Sequence, residues 1–548
     1  MRMQLLLTAL LLGVPFADGR AQCFETRIVE PVGHFDDRFG TVVLAHEDVL
    51  FVTEVGPEAA GRVHVFREQP QGWVQVDSFV PLAGRPGLRF GDALAADGDV
   101  LLVGSREEGD ILPTGQGGAW IFVRDRRNTA TPLDDRWWEL QELQPSGVSM
   151  PHNFGVAVAL NGDTAAVGAP DLPGGDAAVF VFTRTDGGTA TPRDDLWVQQ
   201  ARLEPDPSTP DSDLGEAVAL LDDGHLVLAS DPGDAVGVPG GILTFVRDTQ
   251  GTPDPADDTW QPGPQIEAPS AEQGELRRQF IVAGERLFAE ALAVDPVTFE
   301  VIERVAIFER DAAGWTLAQM LENPLFVFGP FGRRMAADTE TFVSGHMQWT
   351  FGPPFAGAWT VIFERHGNTW EFVQALQAPD ESTQDGFGRG VSLHERRLFL
   401  GAPGAPYVDD DPAVEGSVHV VELDQPNAWT KLSDSALPAP SLAGWGCLED
   451  DTRVIVRVHD SFLARQPALL VVGASLLDQP LLGSVLFPQP DLLLPLVLGP
   501  NGDATLTGRW PSGLPAGTSL WLQAWVPPVP GGTNWEQTHG LRASSPGK

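Results

Sequence analysis

The sequence predicts an all-β protein: a seven-bladed β-propeller of four-stranded blades, followed by a small C-terminal β-sandwich-like domain. Three observations predict it. A unit opening on Phe-Gly or a worn version of it recurs, with starts at 39, 90, 154, 214, 276, 331 and 387. Each copy contains four short β-rich runs separated by Gly, Asp or Pro turns. A Trp precedes the fourth run in every copy: Trp73, Trp137, Trp197, Trp260, Trp315, Trp370 and Trp429. Four strands per unit at a period of about 50–65 residues is the signature of propeller blades.

The third copy is the clearest. It reads FGVAVALNGDTAAVGAPDLPGGDAAVFVF and then LWVQQARLEP, with runs at Val156–Leu160, Thr164–Val167, Ala177–Phe182 and Leu196–Leu203. Alternation at period two marks strands, and Asn161-Gly162-Asp163 between the first two is hairpin chemistry. The copies at 90 and 387 align to it closely, and those at 39 and 331 less so. At Leu214-Gly215 the aromatic is replaced, and at Leu276-Arg277 the opening pair is lost. The repeated Trp are assigned to packing between neighbouring blades.

A propeller must join its ends or leave two sheet edges open. The strand-like ETRIVEP after Phe24 is the candidate that closes the last blade, with Ala428–Leu432 competing for the slot. The chain has only two cysteines, Cys23 and Cys447, which bracket the repeats. In an oxidising compartment a disulfide between them would clasp the ring.

Composition fits this reading. Gly (60) and Pro (47) are abundant, as many short strands and turns require. The formal net charge of −40 disfavours nucleic-acid and polybasic membrane binding. Arg2, the apolar run Leu5–Val14 and the small residues around Ala21 form a signal peptide over 1–21. No later stretch qualifies as a membrane span. The expected organisation is therefore signal peptide 1–21, propeller 22–440 and C-terminal module 448–548. The expected location is extracellular, with the cell surface or periplasm as variants.

The FG…GD…VGAP…G-x-A-x-V-F pattern resembles FG-GAP repeats, the units of secreted bacterial propellers and of the integrin α-chain head. The resemblance covers about residues 24–435. It implies a propeller used for adhesion or recognition. The tail GTSLWLQAWVPP…THGLRASSP is similar to a C-terminal module of large secreted bacterial proteins, which implies surface attachment or a structural cap.

The same resemblance raises calcium, because integrin-type blades carry an Asp-rich loop between their first two strands. Here that loop is cut to Asp97-Gly98-Asp99 or Asn161-Gly162-Asp163, too few carboxylates for a cage. A second acidic feature is the loop before the Trp in three successive copies, holding Asp134 and Asp135, Asp194 and Asp195, and Asp257 and Asp258. These are the candidate calcium ligands. An Arg shortly upstream of each (Arg124, Arg184, Arg247) favours an internal Asp–Arg pair instead.

No catalytic residue is assigned: the sequence has no Gly-x-Ser-x-Gly elbow, His-Glu-x-x-His pair or phosphate-binding Gly-Lys-Ser/Thr loop. The expectation is a non-enzymatic, monomeric scaffold without a cofactor, binding an extracellular protein or glycan. A structural spacer and a propeller enzyme with its site at the central channel are the alternatives. Convergent His, Asp, Glu or Arg at the channel would be needed for the enzyme, and a recess lined by Arg or aromatics favours a ligand.

Overall fold

The computed structural model describes residues 26–544 except 31–37, 57–60, 108–116, 127–131, 148–152, 171–176, 206–212, 232–239, 253–257, 268–274, 295–300, 325–330, 347–358, 378–385, 405–415, 424–428, 432–440, 446–452, 460–466, 499–502, 511–514, 528–535 and pieces of one to three residues elsewhere. The expected signal peptide, Cys23, Cys447 and Asp257 lie outside the described residues. One compact unit comprises Thr26–Val373 and Ser382–Val420, and a second is built chiefly of Val421–Lys548.

The first unit is a succession of antiparallel sheets, each folded from strands consecutive in the chain. The first sheet is Phe39–His46, Val49–Glu54, Arg62–Gln69 and Gly72–Phe79; the second is Leu88–Asp97, Val100–Glu107, Gly118–Asp125 and Arg136–Leu143. The third, Val158–Asn161, Thr164–Ala169, Ala178–Thr185 and Leu196–Leu203, follows the expected runs closely. Its first hairpin pairs Asn161 with Thr164 across Gly162-Asp163, and Gly162 takes the positive φ such a turn demands. Further sheets start at Val218, Glu275 and Arg334.

The first strands touch in cyclic order. Phe39–His46 contacts Leu88–Asp97, and contact passes on through Val158–Asn161, Val218–Leu221, Glu275–Ala283 and Arg334–Ala337 to Gly390–His394. That strand returns to Phe39–His46. The core lies between successive sheets: Leu102, Ile121 and Val123 of the second pack with Phe154, Phe180 and Trp197 of the third. Sheets stacked face to face about a ring of inner strands make a β-propeller.

The ring closes as the sequence suggested. Thr26–Val29 pairs antiparallel with Ser417–Val420, giving the sheet that holds Arg397–Ala402 and Gly390–His394 its outer strand. Ile28, Val418 and Val420 then share a core with Phe39, Leu50 and Phe66 of the first sheet. The competing segment is placed elsewhere. Trp429–Lys431 pairs with Leu541–Ala543 in the second unit, so Trp429 does not open a fourth strand of the last repeat. The slot was already taken by the strand from the chain's other end, which covers the edge that would otherwise stay open.

The motif residues serve the joints. The Phe of Phe-Gly packs edge-on against one third-strand position in its own sheet: Phe39 on His64, Phe90 on Trp120, Phe154 on Phe180 and Phe387 on His419. The Gly that follows lies against the second strand of the preceding sheet. A Cβ on Gly104 would fall 2.2 Å from the Gly155 carbonyl oxygen, one on Gly168 2.0 Å from that of Gly215, and one on Gly401 1.9 Å from that of Gly40. The fourth-strand Trp bridges sheets as expected where rings meet: Trp137 on Phe51, Trp370 on Phe288 and Trp73 on Phe399. In the worn copy, Leu276 fills the Phe position and is fully buried, so the sheet survives loss of the motif.

In the second unit, where the sequence reads as strands at 453–458, 468–472, 491–498, 504–509 and 519–524, the strands are Arg453–His459, Pro467–Gly473, Leu492–Val497, Asp503–Arg509 and Ser519–Val526. A further strand, Ser441–Trp445, pairs with Arg453–His459. Leu442, Val456 and Val458 from this sheet share a core with Leu470, Leu522 and Ala524 from the sheet that holds Trp429–Lys431.

Gly401→Ala should destabilise the protein by about 2–4 kcal/mol, since both colliding groups are backbone. Gly98→Ala, whose added Cβ meets nothing within 4 Å, should cost only about 1 kcal/mol through its positive φ. Urea unfolding of the two variants measures the difference.

Candidate functional site

Inside the ring is a cavity of about 510 Å³ walled by the first strands. Val43, Leu94, Val158, Val218, Ile281 and Val391 form much of its apolar wall. Its charged lining comprises Arg89, Arg106, Arg334, Arg389, Asp92 and Glu216. Asp92, Glu216, Arg334 and Arg389 lie one or two residues after the Phe-Gly or Leu-Gly pair, where the copies read Thr41, Asp92, Val156, Glu216, Arg333 and Arg389, while Arg89 precedes Phe90 and faces Arg106 of the second strand. In five of the copies the residue after the opening pair, Thr41, Asp92, Val156, Glu216 or Arg389, lines the lumen, and in a sixth the next residue, Arg334, does.

The carboxylates there are engaged. Asp92 Oδ1 accepts from Arg89 Nη2 at 3.3 Å and Oδ2 from Arg106 Nε at 3.2 Å, with Arg89 Nε lying 2.9 Å from Oδ2 as an ion pair. Glu216 Oε1 accepts from Arg278 Nη1 at 3.1 Å, and Glu290 at the lumen's edge accepts from Arg333 Nε at 3.2 Å. Arg334 and Arg389 have no ion pair within 4.0 Å among the described residues, and Arg389 Nε is buried without a hydrogen-bond partner. Burial, followed by the guanidiniums of Arg334, Arg89 and Arg38, pulls Arg389 down to about 10. Arg334 is open to the lumen yet surrounded by the ring. Burial comes first in lowering it too, with Arg106, Arg89 and Arg333 adding to that and Asp92 opposing it.

A second charged region lies at the ends of the third strands and includes the predicted aspartates. Asp135 Oδ2 accepts from Arg124 Nη2 at 2.8 Å and from Arg67 Nη2 at 3.1 Å. All three side chains are buried, and Arg67 and Arg124 also reach Asp48. Asp195 accepts from the Gly187 backbone N–H at 3.0 Å and lies 3.8 Å from Arg184 Nε. Asp258 pairs with Arg247 at 2.5 Å. Asp134 and Asp194 each end a short 3₁₀ turn, Pro132–Asp134 and Pro192–Asp194. The structure thus places each loop beside its own arginine, in separate sheets. At the hairpins Asp163 and Asp99 likewise take Arg184 and Arg126, at 2.6 and 2.7 Å.

Sequence reasoning missed two groupings. Glu30, Glu54 and His64 bring potential ligand atoms within 4.8 Å of one another, with His64 Nε2 3.0 Å from Glu54 Oε2. The other is the set of lumen arginines. Its signal was legible in the aligned copies, as Arg333-Arg334 and Arg389 stand where Val156-Ala157 stand in the clearest one.

Residues 370–421 match the FG-GAP repeat. That segment spans the last Phe-Gly unit of the ring, whose joints to the first sheet are described above. No curated protein matches the chain. Among solved structures, the β-propeller domain of the Trilobed protease from Pyrococcus furiosus is 9% identical, with 68% of this chain and 90% of that chain covered and a TM-score of 0.32. Sqt1 from Chaetomium thermophilum is 13% identical over 71% and 95%, with a TM-score of 0.38. A puromycin-hydrolyzing peptidase of Mycobacterium tuberculosis is 14% identical over 72% and 63%, with a TM-score of 0.33. The FG-GAP repeat and the strand order carry the fold here, and these structural likenesses add no argument about chemistry.

Asp135→Ala should cost about 3–5 kcal/mol, because it leaves two buried guanidiniums short of a partner. Arg126→Ala removes a solvent-exposed pair with Asp99 and should cost less than about 1 kcal/mol. Chemical denaturation separates the two.

Proposed function

We propose that this chain is a secreted, seven-bladed propeller with a C-terminal β-sandwich-like domain, and that it recognises an extracellular protein or glycan at the mouth of its central channel. The observation that carries the reading is the lumen. A chain of net charge −40 gathers arginines in a recess walled by the first strands of the repeats. A plain spacer has no use for convergent, partly desolvated guanidiniums, and pockets of a few hundred Å³ are where small groups are recognised. Export rests on Arg2 and the run Leu5–Val14, and the recognition role on the FG-GAP resemblance.

The same convergence favours, as a second reading, a propeller enzyme with its site at the channel. Recognition is preferred because both lining carboxylates are held by arginine, and because the lumen as described contains no His to act as a base. Calcium is not needed for this reading, since Asp135, Asp195 and Asp258 are engaged by arginine or backbone N–H groups.

Gln279 lines the cavity and is only partly buried, so Gln279→Trp should narrow the lumen while leaving the fold intact. In glycan-array and envelope-protein binding assays, wild type should bind a defined partner and Gln279→Trp should lose at least about tenfold in affinity, a difference of 1.4 kcal/mol. Binding that is indifferent to this substitution would remove the channel from the reading.

A further inference from the structure

The lumen arginines define a ligand chemistry. Four guanidiniums, those of Arg89, Arg106, Arg334 and Arg389, share one cavity with two carboxylates. Asp92 is saturated by Arg89 and Arg106, and Glu216 is drawn to Arg278. What remains is a positive lumen facing Arg334 and Arg389. Neither has an ion pair within 4.0 Å among the described residues. Arg389 is half-buried with its Nε out of reach of any partner, and a charge held that way is ordinarily paired, while Arg334 is exposed to the lumen. Of the 75 acidic residues in the chain, Asp92 and Glu216 are the only ones among the described residues that line this cavity.

We propose that the central channel binds a small oxyanion carrying two or more negative charges, with Arg334 and Arg389 as its principal ligands and the Asp92-held Arg89 and Arg106 as the fixed wall of the site. The class follows from geometry and charge together. Guanidinium is a planar fork of N–H donors suited to the paired oxygens of carboxylate or phosphate. A cavity of about 510 Å³ admits a small molecule or a single acidic substituent rather than a folded partner. Asp92 positions two of the four forks without adding free negative charge. The unfavourable crowding of Arg389 against Arg334, Arg89 and Arg38 is relieved when an anion enters.

This inference rests on the channel being the recognition site. Its test is calorimetric titration and thermal melting of the full chain with citrate, pyrophosphate and acetate at matched ionic strength. Citrate or pyrophosphate should bind with a Kd below about 1 mM and raise the Tm, while acetate does neither. The stronger of the two names the source as carboxylate or phosphate. Arg334→Gln and Arg389→Gln should each weaken binding at least about tenfold. Each should also leave the Tm without anion unchanged or higher, because like charges have been separated. Arg126→Gln, at an exposed pair remote from the lining, should respond like wild type. If either variant does not fold, Arg106→Gln, with a partly exposed side chain, is expected to weaken binding as well. No citrate or pyrophosphate response above that of acetate overturns the proposal, as does an undiminished response in the lumen variants. A null result here, alongside partner binding that Gln279→Trp still abolishes, removes the anion and keeps the channel.

Discussion

The structure depends on one close approach: the Gly after the opening Phe or Leu of a repeat lies against the second strand of the sheet before it, at four joints backbone to backbone. At Gly104 with Gly155, Gly168 with Gly215, Gly345 with Gly388 and Gly401 with Gly40 there is no room for a Cβ. The last of these joins the two ends of the ring with the geometry used inside it. Sheet spacing at the inner strands is therefore set by backbone contact, and side chains fill the widening space outward. The Phe–third-strand contacts and the Trp–Phe bridges occupy successive radii of that wedge.

Where a copy departs from glycine, the joint is rebuilt rather than lost. Thr53 meets Gly91 through its methyl, and the Val305 side chain presses on Gly332 beside Glu290. Ser230 Oγ accepts from the Ala217 N–H, so a hydroxyl takes over part of the inter-strand hydrogen bonding. Such tolerance lets the inner-strand residues vary, and variation there becomes chemistry in the lumen.

Charge is distributed on two radii. At the outer ends of the third strands, Arg67 and Arg124 are matched by Asp48 and Asp135, and Arg247 by Asp258, and these pairs hold loops in place. In the lumen the balance tips to positive. The overall charge of −40 describes the exterior, which repels polyanions, and is silent about a recess of about 510 Å³. A small anion that enters the channel meets the local field, whereas a nucleic acid meets the global one.

Much of the fold was legible in the sequence because each repeat is a local unit: its hairpin turn, alternating strands and Phe, Gly and Trp positions lie within about 60 residues of one another, and periodicity exposes them. The closing strand was legible as a candidate, since Thr26–Val29 resembles other fourth-strand tails. Only the tertiary structure decided between it and Trp429–Lys431, because that choice depends on which chain end reaches the open edge. The Asp–Arg pairs of the loops were anticipated from neighbouring residues in each copy. The lumen arginines were not, for Arg89, Arg106, Arg334 and Arg389 come from three copies and are unremarkable in each alone. The sequence by itself determined the repeat and what each repeat becomes. The ring determined which charges face one another, because convergence on an axis is a property of the assembled sheets and of no single one.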